Sequence, residues 1–126
     1  MLFNSDKDGD SYSIFHYYYD GIFQTLTVLL DTQGRRFGGY STHNWAYSPI
    51  GFSYTRAPGS FIFNLTNKEK YDLNDPFYHS AIYRYSSYGP TFGNGHDIYL
   101  ADGCKSNSNG YCTESAYNTG NICILG

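Results

Sequence analysis

The sequence predicts a mainly β fold in which two antiparallel sheets pack face to face. Short apolar or alternating runs recur along the 126 residues with turn residues between them, as strands of a sandwich do. Only one stretch carries convincing helical spacing. Aromatic residues make up 20% of the chain and charged residues 15%, the reverse of a disordered composition, so a packed core is expected. The length suits one domain spanning 1–126, and such a domain buries roughly two-thirds of its unfolded surface without needing disulfide staples.

The elements follow in order. Residues 4–10, Asn-Ser-Asp-Lys-Asp-Gly-Asp, form a polar turn ending in Asp10-Ser11, which is good N-cap chemistry. Ile14, Phe15 and Tyr18 then fall at helical spacing within 12–19, and Asp20-Gly21 stops the helix. Residues 24–30 read as a mostly buried strand, Asp31-Thr32-Gln33-Gly34 as its turn, and 35–41 as the returning strand. In that strand Gly38-Gly39 suggests a bulge or a close approach by another backbone. Residues 43–58 are rich in Ser, Gly, Pro and Tyr and read as a surface excursion without regular structure, anchored by the lone Trp45, which should be largely buried. Residues 60–65 form the next strand, 66–70 a charged turn, and 70–73 an extended continuation that Pro76 ends. Residues 81–85 and 96–100 alternate as strands on either side of the glycine-rich link 89–95. Residues 101–120 read as loop, and Ile122-Cys123-Ile124-Leu125 as a strand that has just begun.

Charge and motifs exclude several functions. A net charge of −3, with Arg35-Arg36 and Lys68 to Lys70 as the closest-set cations, argues against nucleic-acid binding. No apolar run approaches the roughly 18 residues of a membrane span, and the opening lacks a signal peptide, so a cytosolic setting without membrane insertion is expected. Cys104, Cys112 and Cys123 are odd in number and lack C-x-x-C spacing, which favours reduced thiols over disulfides or zinc. Only Lys105 adjoins Cys104 as a cation, a poor setting for a reactive thiol.

Asn4, Asp6, Asp8 and Gly9 match the start of a calcium loop, yet its twelfth position is Phe15 rather than Glu. Gly93-Asn94-Gly95 is followed by His96-Asp97 rather than the Lys and Ser or Thr of a P-loop. His16, His43, His79 and His96 show no metal or triad spacing, and no Ser sits in a G-x-S-x-G elbow, so Ser60 reads as a hydrogen-bonding residue at the start of a strand. Asn64-Leu65-Thr66 is a glycosylation sequon expected to stay unmodified. No catalytic residue, metal or cofactor is expected.

Four blocks carry a resemblance. Residues 2–6 with Gly9 and 11–15 come first. Next is Thr25-Leu26-Thr27-Val28-Leu29-Leu30-Asp31 with Gly34, Phe37-Gly38-Gly39-Tyr40 and Trp45. Residues 60–65 and 89–100 complete the set. In this order they resemble the TLDc domain of the oxidation-resistance protein family, as protist members write it. The resemblance implies a mainly β (α+β) fold, a two-sheet antiparallel β-sandwich with one or two short flanking helices, its first block 2–6 with Gly9 and 11–15 being similar to an opening strand, glycine turn and short helix. It also implies a cytoplasmic, non-enzymatic protein-interaction module with a role in oxidative stress. The protein partner so implied is the vacuolar proton-pumping ATPase, as in several members, or a larger assembly.

Three departures accompany the resemblance. Gly59 stands where many relatives carry an acidic residue, and both the usual N-terminal helical part and the last C-terminal strand are expected to be missing, as in a fragment or a reduced variant. A carbohydrate-binding β-sandwich is the alternative, because exposed Tyr or Trp rings stack sugars; coplanar rings on one face would favour it. The expected partner-binding surface is Gly89, Phe92, Gly93, Asn94, Gly95, His96 and Asp97, with the His96 and Asp97 side chains open to the partner. Against it stands the plain use of glycine in a tight connection, where Gly93 and Gly95 take positive φ.

Overall fold

The computed structural model describes residues 1–47, 52–74, 79–100, 102–103 and 117. Among the described residues two four-stranded antiparallel sheets make up the body of the domain, one in the order β1 (Thr25–Leu30), β2 (Arg36–Ser41), β4 (Phe61–Asn64), β5 (Glu69–Asp72) and the other in the order β3 (Phe52–Thr55), β6 (Ile82–Tyr85), β7 (Thr91–Phe92), β8 (Ile98–Tyr99). The expected sandwich is therefore present. Two helices, α1 (Ser5–Asp8) and α2 (Tyr12–Tyr19), precede it.

The polar opening contains a single helical turn, where Asn4 Oδ1 accepts the Asp6 amide at 2.9 Å and Asp8 Oδ2 accepts the Asn4 amide at 2.7 Å. The carboxylate and carboxamide that resemble calcium ligands thus cap α1. Within 2–6, where the resemblance implied an opening strand, residues 2–4 carry no regular structure and Ser5-Asp6 begin α1. Ser11 caps α2, its Oγ accepting the Ile14 amide at 3.4 Å, as the sequence predicted. The buried face of α2 is Phe15, His16 and Tyr19, with Ile14 and Tyr18 half-buried at its margin.

The first hairpin pairs β1 (Thr25–Leu30) with β2 (Arg36–Ser41) in continuous register from Thr25↔Ser41 to Leu30↔Arg36. No bulge interrupts it. The close approach expected at the glycines is real: a Cβ on Gly38 would strike the Thr27 carbonyl, and one on Gly39 would lie 2.5 Å from the Phe92 ring of the opposite sheet. Gly39 is the hole into which Phe92 fits, so the two sheets can close.

β1 is not the buried strand expected. Leu26, Val28 and Leu30 are 56%, 51% and 66% exposed, while Thr25, Thr27 and Leu29 face inward. The pattern Thr-Leu-Thr-Val-Leu-Leu allows either phase, and the inward one is chosen by Thr25, whose hydroxyl accepts the Trp45 indole N–H at 2.9 Å.

Trp45 is 1% exposed and does anchor the excursion, packing on Phe15 and Phe92 at ring-centroid distances of 5.7 and 5.3 Å. The excursion nevertheless contains a regular element, β3 (Phe52–Thr55), which pairs with β6 (Ile82–Tyr85) from Phe52↔Tyr85 to Thr55↔Ile82. Arg84 fixes the approach to it, donating to Thr55 Oγ1 at 2.7 Å and to the Ala46 carbonyl.

β4 (Phe61–Asn64) and β5 (Glu69–Asp72) complete the first sheet. Ser60 acts as expected, its Oγ accepting the Thr42 amide at 3.1 Å. The sequon residue Asn64 is 3% exposed and its Oδ1 accepts the Asn67 amide, so its side chain is committed to the β4–β5 turn. Two residues of the glycine-rich link, Thr91–Phe92, form β7, and β8 covers Ile98–Tyr99. Ile62, Ile82, Phe92, Ile98 and Tyr117 join Trp45, Phe15, Tyr19 and Phe37 in one core. Pro76, the cysteines and residues 122–125 lie outside the described residues. No helix among the described residues is long and apolar enough to cross a membrane.

Candidate functional site

The link between β6 and β8 crosses the end of the second sheet and holds three residues of positive φ: Gly93 at 89°, Gly95 at 87° and His96 at 71°. Gly93 donates its amide to the Ala81 carbonyl at 2.9 Å, and the same carbonyl accepts the Tyr117 hydroxyl at 2.7 Å. Asp97, 1% exposed, accepts the Tyr117 amide at 3.4 Å and lies so close under Gly93 that a Cβ there would strike its carboxylate. Gly93, Asp97, Ala81 and Tyr117 therefore form one buried polar knot. Burial raises the Tyr117 phenol well above its ordinary range, with the Asp97 charge adding to it, which keeps the hydroxyl a donor.

Several expected contact residues are thus internal. Phe92 is fully buried against Gly39, Trp45 and Tyr117, and Gly93 and Asp97 lie beneath the surface. The expectation that the Asp97 side chain stands open is corrected: Tyr117, which sequence reading could not place beside it, covers it. His96 is 9% exposed and forms a floor rather than a projection. Asn94 and Gly95 are exposed at the tip, and Gly89 is half-buried at its rim.

Around His96 the outer face of the second sheet is built of tyrosine. Tyr83, Tyr88, Tyr99 and Tyr54 place their ring centroids 4.9, 5.8, 6.0 and 6.3 Å from the imidazole. Tyr54 and Tyr83 are cross-strand partners at 4.9 Å, and Tyr85 adds its ring 5.5 Å from Tyr88. The tyrosine pairs are inclined at 47° to 71° to each other. Rings so tilted pack edge to face upon each other. They do not present the coplanar platform that would favour a carbohydrate-binding module. Burial pushes the Tyr83 phenol up, and the neighbouring Tyr88, Tyr54 and Tyr85 add to the shift.

His16 ties helix α2 to this face. Its Nε2 donates to the Tyr85 and Tyr88 carbonyls, both at 2.9 Å, while Nδ1 meets Asp20 Oδ1 at 2.7 Å. Sequence reading missed both His16 and the tyrosine face. Its signal was the period of two that puts Tyr83 and Tyr85 on one side of β6.

Burial also pushes the His96 imidazole below its ordinary value of 6.5, opposed by a hydrogen bond with the Gly93 backbone and by the Asp97 charge. As pH falls, the unfolded chain takes up this proton first. Stability is then complete above about pH 6.5 and declines below it. The urea midpoint is expected to drop as pH falls below about 6.5, with a smaller drop in His96→Asn, where Asn tolerates the left-handed φ. An identical drop in the variant would assign it to other groups.

Buried polar knot, Gly39 socket and tyrosine-rich outer face of the second sheet define the β-sandwich. The chain belongs to the TLDc domain family, whose model matches residues 1–124. A comparison with the curated proteins returns no match.

Proposed function

We propose that this TLDc-type domain is a non-enzymatic protein-interaction module. The observation that carries the proposal is the family match along nearly the whole chain. The resemblance extends the proposal to oxidative-stress protection and to a cytoplasmic partner, the vacuolar proton-pumping ATPase or an assembly containing it. The proposed contact surface is the tip Asn94-Gly95, with Gly89 at its rim, continued over Tyr54, Tyr88 and Tyr99. His96 supports this surface as its floor, and Phe92, Gly93 and Asp97 support it from beneath. Tyrosine suits such a surface, since it gives a large rigid contact area with a polar tip.

Binding of purified protein to the reconstituted ATPase tests the proposal. The double variant Tyr54→Ser, Asn94→Arg changes two exposed residues and is expected to bind at least tenfold more weakly while losing no more than the Tyr54–Tyr83 ring pair contributes to stability, about 1 kcal/mol. Peroxide or ester turnover by the purified protein, lost in His96→Ala or Asp97→Ala, would overturn the non-enzymatic reading.

A further inference from the structure

The two edges of the first sheet differ in chemistry. β5 carries Glu69, Lys70 and Asp72, the charged residues by which edge strands avoid pairing with other chains. β1, at the opposite edge, reads Thr-Leu-Thr-Val-Leu-Leu, with no charge, proline or bulge, and among the described residues no strand pairs with its outer side.

The backbone polarity of that edge follows from its hairpin. The Asp31 amide donates to the Arg35 carbonyl at 3.1 Å. Because bonded pairs alternate along an antiparallel ladder, Leu29↔Phe37, Thr27↔Gly39 and Thr25↔Ser41 are the bonded ones. The amides and carbonyls of Leu26, Val28 and Leu30 consequently point off the sheet.

A cavity of about 540 Å³ runs along this edge. Its lining takes in every residue from Leu26 to Thr32, those facing inward and those facing outward alike, so it meets the strand side-on. Phe3, Phe15, Tyr19 and Leu100 give it apolar walls. Among the described residues its charged lining side chains are Asp6, Asp10, Asp31 and Asp102, of which Asp102 also accepts the Tyr12 amide at 2.8 Å and Asp31 is offset by an ion pair with Arg35 at 2.5 Å.

We infer that this cleft accepts an extended segment of a partner protein as an added strand on β1, with apolar side chains at alternate positions and basic residues at its ends. The edge supplies main-chain hydrogen bonds, the walls select alternate apolar groups, and the aspartates select the basic flanks. The inference rests on the reading of the domain as a protein-binding module but uses a surface other than the tyrosine face, so the two can fail separately.

The probe is a ten-residue peptide alternating valine and threonine with two lysines at each end, compared with the same peptide ending in glutamates. Saturating lysine-ended peptide is expected to slow amide exchange at least tenfold at Leu26, Val28 and Leu30, and the glutamate-ended peptide to bind at least tenfold more weakly. Val28→Pro removes an outward amide that β2 does not use, and should abolish binding. Val28→Lys, which keeps the backbone intact, should do the same if the proline variant fails to fold. Absence of protection at the three amides, or equal binding of the two peptides, overturns the inference. So does self-association that Val28→Lys abolishes, which would assign the edge to a second copy of this chain. The folded variant is expected to retain ATPase binding through the tyrosine face; if wild-type protein also fails to bind the ATPase, it is the broader proposal that falls.

Discussion

Trp45→Ala is expected to lower the unfolding free energy by about 3 to 5 kcal/mol, as large-to-small changes at buried aromatics do. Trp45 joins three parts of the domain: Phe15 on α2, Phe92 on β7 and Thr25 at the start of β1. Truncation opens a cavity at that junction and leaves the Thr25 hydroxyl without its indole partner. Total stabilities of domains this size lie at about 5 to 15 kcal/mol, so the variant should be partly unfolded under mild denaturant. Urea unfolding followed by circular dichroism measures it, since the only tryptophan is lost. A change below about 1 kcal/mol would mean that the ring does not hold the excursion to the core.

Gly93→Ala is the second large effect. Two costs combine there, because φ is 89° and the added methyl would enter the space of the Asp97 carboxylate. Positive φ and overpacking each cost about 1 to 3 kcal/mol, giving about 2 to 6 together. Displaced Asp97 would also release the Tyr117 amide, so the knot is expected to loosen as a unit. Gly95→Ala shares the positive φ at an exposed position and is expected to cost only about 1 kcal/mol. Equal losses in the two variants would show that Asp97 can move aside freely and that the knot holds nothing.

Both predictions concern features only partly legible in the sequence. Helix α2, the first hairpin and β4 were readable because cap, turn and apolar period agree locally, as at Ser11 and at Asp31 to Gly34. β3 was hidden because Phe52–Thr55 lies in a Ser, Gly and Pro context and is held by pairing with β6, some thirty residues on. β1 was read as mostly buried because its run is short, apolar and in part β-branched, whereas Thr25 turns inward to serve Trp45 and Leu26, Val28 and Leu30 face out.

The candidate site divides in the same way. Positive φ at Gly93 and Gly95 followed from glycine's use in tight connections, and the structure has it. The burial of Asp97 did not follow, because it depends on Tyr117 arriving from twenty residues further along. The tyrosine face likewise needs β3 and β6 to be paired before Tyr54 meets Tyr83.

Tyrosine nitration read by mass spectrometry, in the free protein and with the reconstituted ATPase bound, tests the central claim most directly. Modification of Tyr54, Tyr88 and Tyr99 is expected to fall at least fivefold in the complex, while that of exposed Tyr17 on α2 stays the same. Protection of Tyr17 with Tyr54 and Tyr88 unchanged would contradict it and move the partner to the helical side of the domain.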